Sequence, residues 1–285
     1  MRLRVWCETL PFEQLPACLP LLARYRVDLL LAVRPWQLSE IGELVRRAQG
    51  EGVFTGVWPM LADEDGRWAN ARSCDKFIAF TDALIADVPF ADEVAIDLEP
   101  PIFQLTKWIR GRPARMQASD YGDARDAYVA ATRRWHASHR LTTAVMPMLA
   151  FEVGGQWMQR VLGTPATPLD VDRHSVMAYS SLFEGWSRGV VNRRRAEQLV
   201  ATCARFARRR FGERAALSLG CVGAGAFGSE PAYRDPGELA RDVTLACAAG
   251  IEELALFDLG GVMRRPPADA WLEAFTAPAR DSAPR

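Results

Sequence analysis

Eight short apolar runs alternate with eight amphipathic stretches along this chain of 285 residues, and that alternation limits the fold more than any other feature. The runs with strand character are 3–7, 27–33, 53–58, 93–98, 142–147, 174–179, 216–222 and 253–258. Helical periodicity marks 12–25, 38–50, 74–86, 122–139, 154–162, 192–211, 236–249 and 268–275 between them. Ser39 and Asp235 read as N-caps, Pro236 as a first helical residue, and Gly50 and Gly250 as C-terminal stops. A strand–helix unit repeated eight times at this length predicts an α/β fold, a (β/α)8 TIM barrel, in a single domain over 1–276. The Pro/Ala/charge-rich residues 277–285 read as a disordered tail. An open doubly wound sheet would carry a glycine-rich dinucleotide turn after its first strand, whereas Glu8-Thr9-Leu10-Pro11 follows here. The connection 101–121 is long, as the walls and lids of active sites are.

Composition narrows the partners. Lys plus Arg and Asp plus Glu each number 35, so the net charge is zero and nucleic acid is not the expected partner. The six cysteines (Cys7, Cys18, Cys74, Cys203, Cys221, Cys247) form no CxxC pair and read as reduced core residues, which suits the cytoplasm. The chain opens directly on the strand-like Leu3-Arg4-Val5-Trp6-Cys7, so no signal peptide is expected. No segment is long and apolar enough to span a membrane.

The chemistry gathers at the end of the fourth strand, Asp92-Glu93-Val94-Ala95-Ile96-Asp97-Leu98-Glu99-Pro100-Pro101. Alternate strand residues share a face, so Asp97 and Glu99 project together, roughly 6.5–7 Å apart along the chain. The prolines end the strand and leave Glu99 at its carboxyl terminus, where barrels place their active sites. Two close carboxylates resist ionising together, so the acid chemistry needs one of them, Glu99, to be held protonated. At the other strand ends stand Trp6, Glu8, Arg34, Trp36, Trp58, Met146, Tyr179 and Asp258. Aromatic rings that take sugar faces, with carboxylates and arginine for hydroxyls, make these the candidate substrate contacts. The carboxylate pair has a structural alternative, a salt bridge to an arginine such as Arg34.

Asp92-x-x-Ala95-x-Asp97-x-Glu99 resembles the DxxDxDxE signature on strand four of family 18 glycoside hydrolases, the chitinase-like barrels, and Met177-Ala178-Tyr179-Ser180 is similar to their Met-x-Tyr-Asp on strand six. The resemblance implies a retaining, substrate-assisted glycosidase that needs no cofactor. In it Glu99 is the general acid, Asp97 orients the substrate's N-acetyl group and Tyr179 hydrogen-bonds that group. The chain departs from the signature at Ala95, which replaces the middle Asp, and at Ser180, which replaces the Asp after the tyrosine. Phe257-Asp258 stands where the family has a Trp. The family also contains barrels that bind sugar without cleaving it, and a non-catalytic carbohydrate-binding barrel is the second reading.

A third reading comes from Gly220-Cys221-Val222-Gly223-Ala224-Gly225 and Leu259-Gly260-Gly261, glycine-rich turns of the kind that bind phosphate in many barrels, with Arg264 and Arg265 after the second. That reading makes the chain an isomerase or lyase acting on a phosphorylated small molecule. His136 and His139 read as solvent-facing on an outer helix and His174 as lying at the start of strand six, so no metal site is expected. The only lysines, Lys76 and Lys107, fall at no strand end, which argues against Schiff-base chemistry.

Overall fold

The computed structural model describes residues 1–109, 111–112 and 121–281. Eight parallel strands close into a barrel in sequence order: β1 (Arg2–Cys7), β2 (Asp28–Val33), β3 (Thr55–Pro59), β4 (Glu93–Leu98), β5 (Arg140–Val145), β6 (Arg173–Met177), β7 (Ala215–Gly220) and β8 (Glu253–Phe257). The helices are α1 (Leu15–Tyr25), α2 (Leu38–Gly50), α3 (Cys74–Asp87), α4 (Ile102–Ile109), α5 (Tyr121–His136), α6 (Trp157–Leu162), α7 (Ser180–Gly185), α8 (Arg193–Phe211), α9 (Pro236–Ala248), α10 (Leu259–Arg264) and α11 (Ala268–Asp281). The (β/α)8 reading holds, and all eight expected strands are present. Helices α4, α7 and α10 are additions, each a short helix directly following β4, β6 or β8. Helix α11 continues to Asp281, past the point at which a tail was expected to begin, and residues 282–285 lie outside the described residues. So do 110 and 113–120 of the long connection.

The helix ends follow local chemistry. Asp235 caps α9 by accepting from the Glu238 backbone N–H at 3.1 Å, with Pro236 at the first helical position. Asn192 does the same for α8 through the Arg195 N–H at 3.0 Å. Ser39 is not a cap. Pro35, with its fixed φ, opens a 3-10 turn over Pro35–Gln37 that leads into α2 at Leu38, so helical geometry is established before Ser39.

Contacts divide the chain into two compact units. The first holds Met1–Leu31, Arg47–Phe54 and the chain from Ser175 onward. At the start of its strands Arg4 is buried and its guanidinium meets the carboxylate of Glu253 on the neighbouring β8 at 2.8 Å. One turn of the pleat further on, the indole of Trp6 donates to Ser218 Oγ at 3.0 Å, which lies 2.8 Å from Ser175 Oγ. Helix α8 buries Ala196, Val200, Cys203, Ala204, Ala207 and Phe211, an i, i+4, i+7 stripe, and exposes Arg194, Arg195, Arg205 and Arg209. The two glycine-rich turns of this unit interlock. A Cβ on Gly261 would stand 2.4 Å from the Gly223 backbone nitrogen, and one on Gly223 would stand 2.8 Å from the Gly261 Cα. Both positions require a residue without a side chain.

The second unit holds Ala32–Arg46 and Thr55–His174. Strand β4 buries Val94, Ile96 and Leu98 on one face and Glu93, Ala95 and Asp97 on the other. Glu93, wholly buried, pairs with Arg140 of β5 at 3.2 Å. His174 is buried and sits 2.8 Å from Thr143 Oγ1. His139 is also buried, with Ser138 Oγ at 2.8 Å from its Nδ1, which corrects the expectation that it faces solvent. The helix it follows ends at His136, so His139 turns inward ahead of β5, and burial pulls its pKa down. His136 lies between Asp170 at 3.3 Å and Asp172 at 3.2 Å. Partial burial lowers its pKa, but the two carboxylates outweigh it and hold the imidazole above its ordinary value.

Gly261→Ala should destabilise by about 1–3 kcal/mol through the backbone clash. Gly122→Ala, in α5 with nothing within 4 Å, should be neutral or stabilising, which paired urea melts would show. For His136, a pKa raised by folding means stability that is present at acid pH and lost as pH rises through the folded value. The gap in urea midpoint between wild type and His136→Asn should therefore be widest near about pH 5.5 and shrink by about pH 8.5. A gap that is flat with pH would refute the ion pairing.

Candidate active site

In the second unit the site is built around the end of β4. Asp97 is 4% exposed, while Glu99, just past the last strand residue, is half-buried. Pro100 and Pro101 offer no N–H there, so the main chain must be held through its carbonyl groups. The segment after β3 does this. The Ala69 N–H donates to the Asp97 carbonyl at 2.8 Å, and Asn70 Nδ2 donates to the Glu99 carbonyl at 3.1 Å. Asn70 is 1% exposed and was not singled out by the sequence. Its Nδ2 also donates to Trp68 O at 2.9 Å, and its Oδ1 accepts from the N–H groups of Arg72 and Ser73, each at 3.1 Å. Tyr128 of α5 donates from its hydroxyl to the Asn70 carbonyl at 3.2 Å, tying the segment to a helix.

The other expected residues of this unit lie along its strand ends. Arg34 donates to the Leu61 carbonyl and to Asp63. Hydrogen bonding from Arg67, helped by the charge of Arg34, keeps the Asp63 carboxyl below the usual range despite partial burial. Trp36 is 66% exposed with the Arg34 guanidinium 6.0 Å from its ring. Trp58 is buried. Met146 is half-buried at the head of the 3-10 turn Pro147–Phe151. Ala95, at the place of the signature's middle carboxylate, is wholly buried.

In the first unit Tyr179 is half-buried, immediately ahead of α7, with its ring stacked on Phe257 (centroids 5.7 Å apart, planes 9° from parallel). Ser180 is buried, and its hydroxyl donates to Asp242 and accepts from Arg193 at 2.9 Å. Arg193 also meets Asp242 at 2.7 Å, and the Tyr233 hydroxyl donates to the same carboxylate at 2.8 Å. Burial pushes the Asp242 carboxyl up, with Arg193 opposing. This network fixes the first turn of α7 behind Tyr179. Its members are scattered over 180–242, and no local pattern in the chain marks them.

Glu8 is half-buried, whereas Trp6 and Asp258 are buried. Asp258 caps α10 through the Gly261 N–H at 2.9 Å and accepts from the Thr9 hydroxyl at 2.6 Å. The arginines after β8 hold main chain. Arg265 donates to the carbonyls of Val222, Tyr233 and Arg234, and Arg264 donates to Thr9 O and Oγ1. Glu230, another carboxylate not foreseen, accepts from the Cys221 thiol at 3.2 Å, and burial raises its pKa. Among the described residues no three His, Cys, Asp or Glu side chains cluster as a cation site.

No protein-family model matches the sequence, and no curated protein matches it. Solved structures do. The glycoside hydrolase domain of PgaB (BpsB) from Bordetella bronchiseptica is similar with a TM-score of 0.62 at 11% identity, over 97% of this chain and 99% of that one. A GH5-4 broad specificity endoglucanase from Clostridium longisporum gives 0.61 at 10% identity, over 94% and 86%. A plant class V chitinase mutant from Cycas revoluta, in complex with (GlcNAc)3, gives 0.57 at 13% identity, over 99% of each chain. At these identities the likeness shows the barrel fold that the chain shares with family 18 chitinases and with other glycoside hydrolases.

Proposed function

We propose that this chain is a glycoside hydrolase, a divergent relative of the chitinase-like barrels, cleaving a bond to an N-acetylated amino sugar with retention of configuration. The observation that carries this reading is the carboxylate pair Asp97 and Glu99 at the carboxyl end of β4, on a main chain clamped by Ala69 and Asn70. The fold-level likeness to sugar-processing barrels supports it.

Glycoside hydrolysis needs an acid at the bridging oxygen and a group that stabilises positive charge at the sugar carbon. Glu99 is assigned the first task. It gives its proton to the bridging oxygen as the bond to the anomeric carbon breaks. The N-acetyl carbonyl oxygen, oriented by Asp97 and helped by Tyr179, forms its own bond to that carbon. Glu99, now a carboxylate, then takes a proton from the water that displaces the carbonyl, and two displacements restore the original configuration. These steps call for no metal or organic cofactor. Trp36, Glu8 and Met146, which keep exposed surface, and Arg34 are assigned to substrate, whereas Trp6, Trp58 and Asp258 are buried. The substrate is an oligosaccharide or small glycoside in the cytoplasm, and neither nucleic acid nor membrane is a partner.

A sugar-binding barrel without turnover is the second reading. It is favoured by wholly buried Ala95 and by the Ser180 hydroxyl being engaged with Asp242, where the signature has carboxylates. The phosphate reading gains nothing, since close approach of the two turns accounts for Gly223 and Gly261, and Arg264 and Arg265 hold carbonyls.

Hydrolysis of chitooligosaccharides and of 4-nitrophenyl N-acetyl-β-D-glucosaminide decides between these. Wild type should turn over, and Glu99→Gln should lower kcat on chitotriose by about 10²–10⁴-fold. An undiminished Glu99→Gln removes the assignment of the acid. Sugar binding by wild type with no turnover establishes the second reading.

A further inference from the structure

The buried amide of Asn70 has every hydrogen-bonding position filled. Both N–H groups of Nδ2 donate to carbonyls, Trp68 O at 2.9 Å and Glu99 O at 3.1 Å, and Oδ1 accepts from two backbone N–H groups. A side-chain amide can make these four bonds in one orientation only, because flipping it would face oxygen to oxygen and N–H to N–H. The amide therefore does two separable things. Its oxygen shapes the turn that leads into α3, a task Asp performs as well and Ser more weakly. Its nitrogen reaches out of that turn to the main chain of Glu99, 29 residues along the sequence. Nearby, Ser73 Oγ donates to Trp68 O at 2.6 Å and accepts from the Asn70 N–H at 3.1 Å, so it stabilises the same turn without touching Glu99.

The carbonyl that Asn70 holds belongs to the residue assigned as acid, and the next two residues are prolines that add no hydrogen bond of their own through nitrogen. We propose that Asn70 is a positioning residue: through the Glu99 carbonyl it sets where the Glu99 carboxyl meets the bridging oxygen, and so sets the efficiency of proton donation. This rests on the reading of Glu99 as the general acid. A misplacement of about 1 Å in such a group costs on the order of 10²-fold.

The consequence is a dependence on the leaving group. Departure of a sugar hydroxyl needs the proton, whereas 4-nitrophenolate departs with little help. Asn70→Asp keeps the oxygen that shapes the turn and removes the donor to Glu99. It should lower kcat on chitotriose by about 10–100-fold with KM within about threefold, and lower kcat on 4-nitrophenyl N-acetyl-β-D-glucosaminide by less than about threefold. Ser73→Ala should lower the urea midpoint while moving the two kcat values by the same small factor. If Asn70→Asp does not fold, Asn70→Ser, which keeps a turn-forming oxygen too short to reach Glu99, must give the same selective loss. Equal loss on both substrates, or no loss, in a folded Asn70 variant overturns the positioning role while leaving the hydrolase reading intact. A wild type that turns over neither substrate removes the hydrolase reading, and the positioning role falls with it.

Discussion

Just past β4, where two prolines bring no N–H of their own, the Asn70 amide donates to the Glu99 carbonyl at 3.1 Å. A fully buried carbonyl left without a partner costs on the order of 1–3 kcal/mol, so at this part-buried position the bond contributes to the fold as well as to any chemistry. It joins the segment after β3, the first turn leading into α3 and the Tyr128 hydroxyl of α5 to one peptide unit. The same peptide unit carries Glu99. Stability and positioning are thus two consequences of one side chain, and separating them experimentally requires replacing the amide nitrogen while leaving the oxygen.

Charge is distributed in the same spirit. At the strand starts, buried ionisable groups meet opposite partners across neighbouring strands, Arg4 with Glu253 in one unit and Glu93 with Arg140 in the other. Breaking such a pair would leave an uncompensated buried charge, which ties these positions to stability. At the strand ends, carboxylates occur in closer company with their own kind: Asp97 with Glu99 along β4, and Glu230 under the influence of Asp258, with burial the larger effect.

Much of this was legible in the chain. Strands of five or six residues, with an apolar centre and bounded by turn formers, announce themselves, and Asp235-Pro236 marked its helix start correctly. Helices α7 and α10 have six residues each and α4 has eight, too short for a periodic pattern to separate them from loop. Ser39 had the right residue type for a cap, but Pro35 had already set the helical geometry upstream. Asp97, Glu99 and Tyr179 were picked out by position on a strand and by the signature they resemble. Asn70 was invisible because its importance lies in a contact 29 residues away, and nothing in Trp68-Ala69-Asn70-Ala71 distinguishes it from an ordinary turn asparagine. Trp6 and Asp258 looked like rim residues by spacing, yet one is a buried indole bonded to Ser218 and the other a helix cap. Spacing tells which strand end a residue occupies and says nothing of what its neighbours do with it.

Whether a saccharide's bridging oxygen comes to the residue-99 side chain is the point on which the functional account turns. A crystal structure of Glu99→Gln soaked with chitotriose measures it directly. The account predicts a sugar at the carboxyl end of β4 with a glycosidic oxygen about 3 Å from the Gln side-chain amide. Ordered saccharide bound elsewhere, with that carboxyl end unoccupied at saturating ligand, would contradict it.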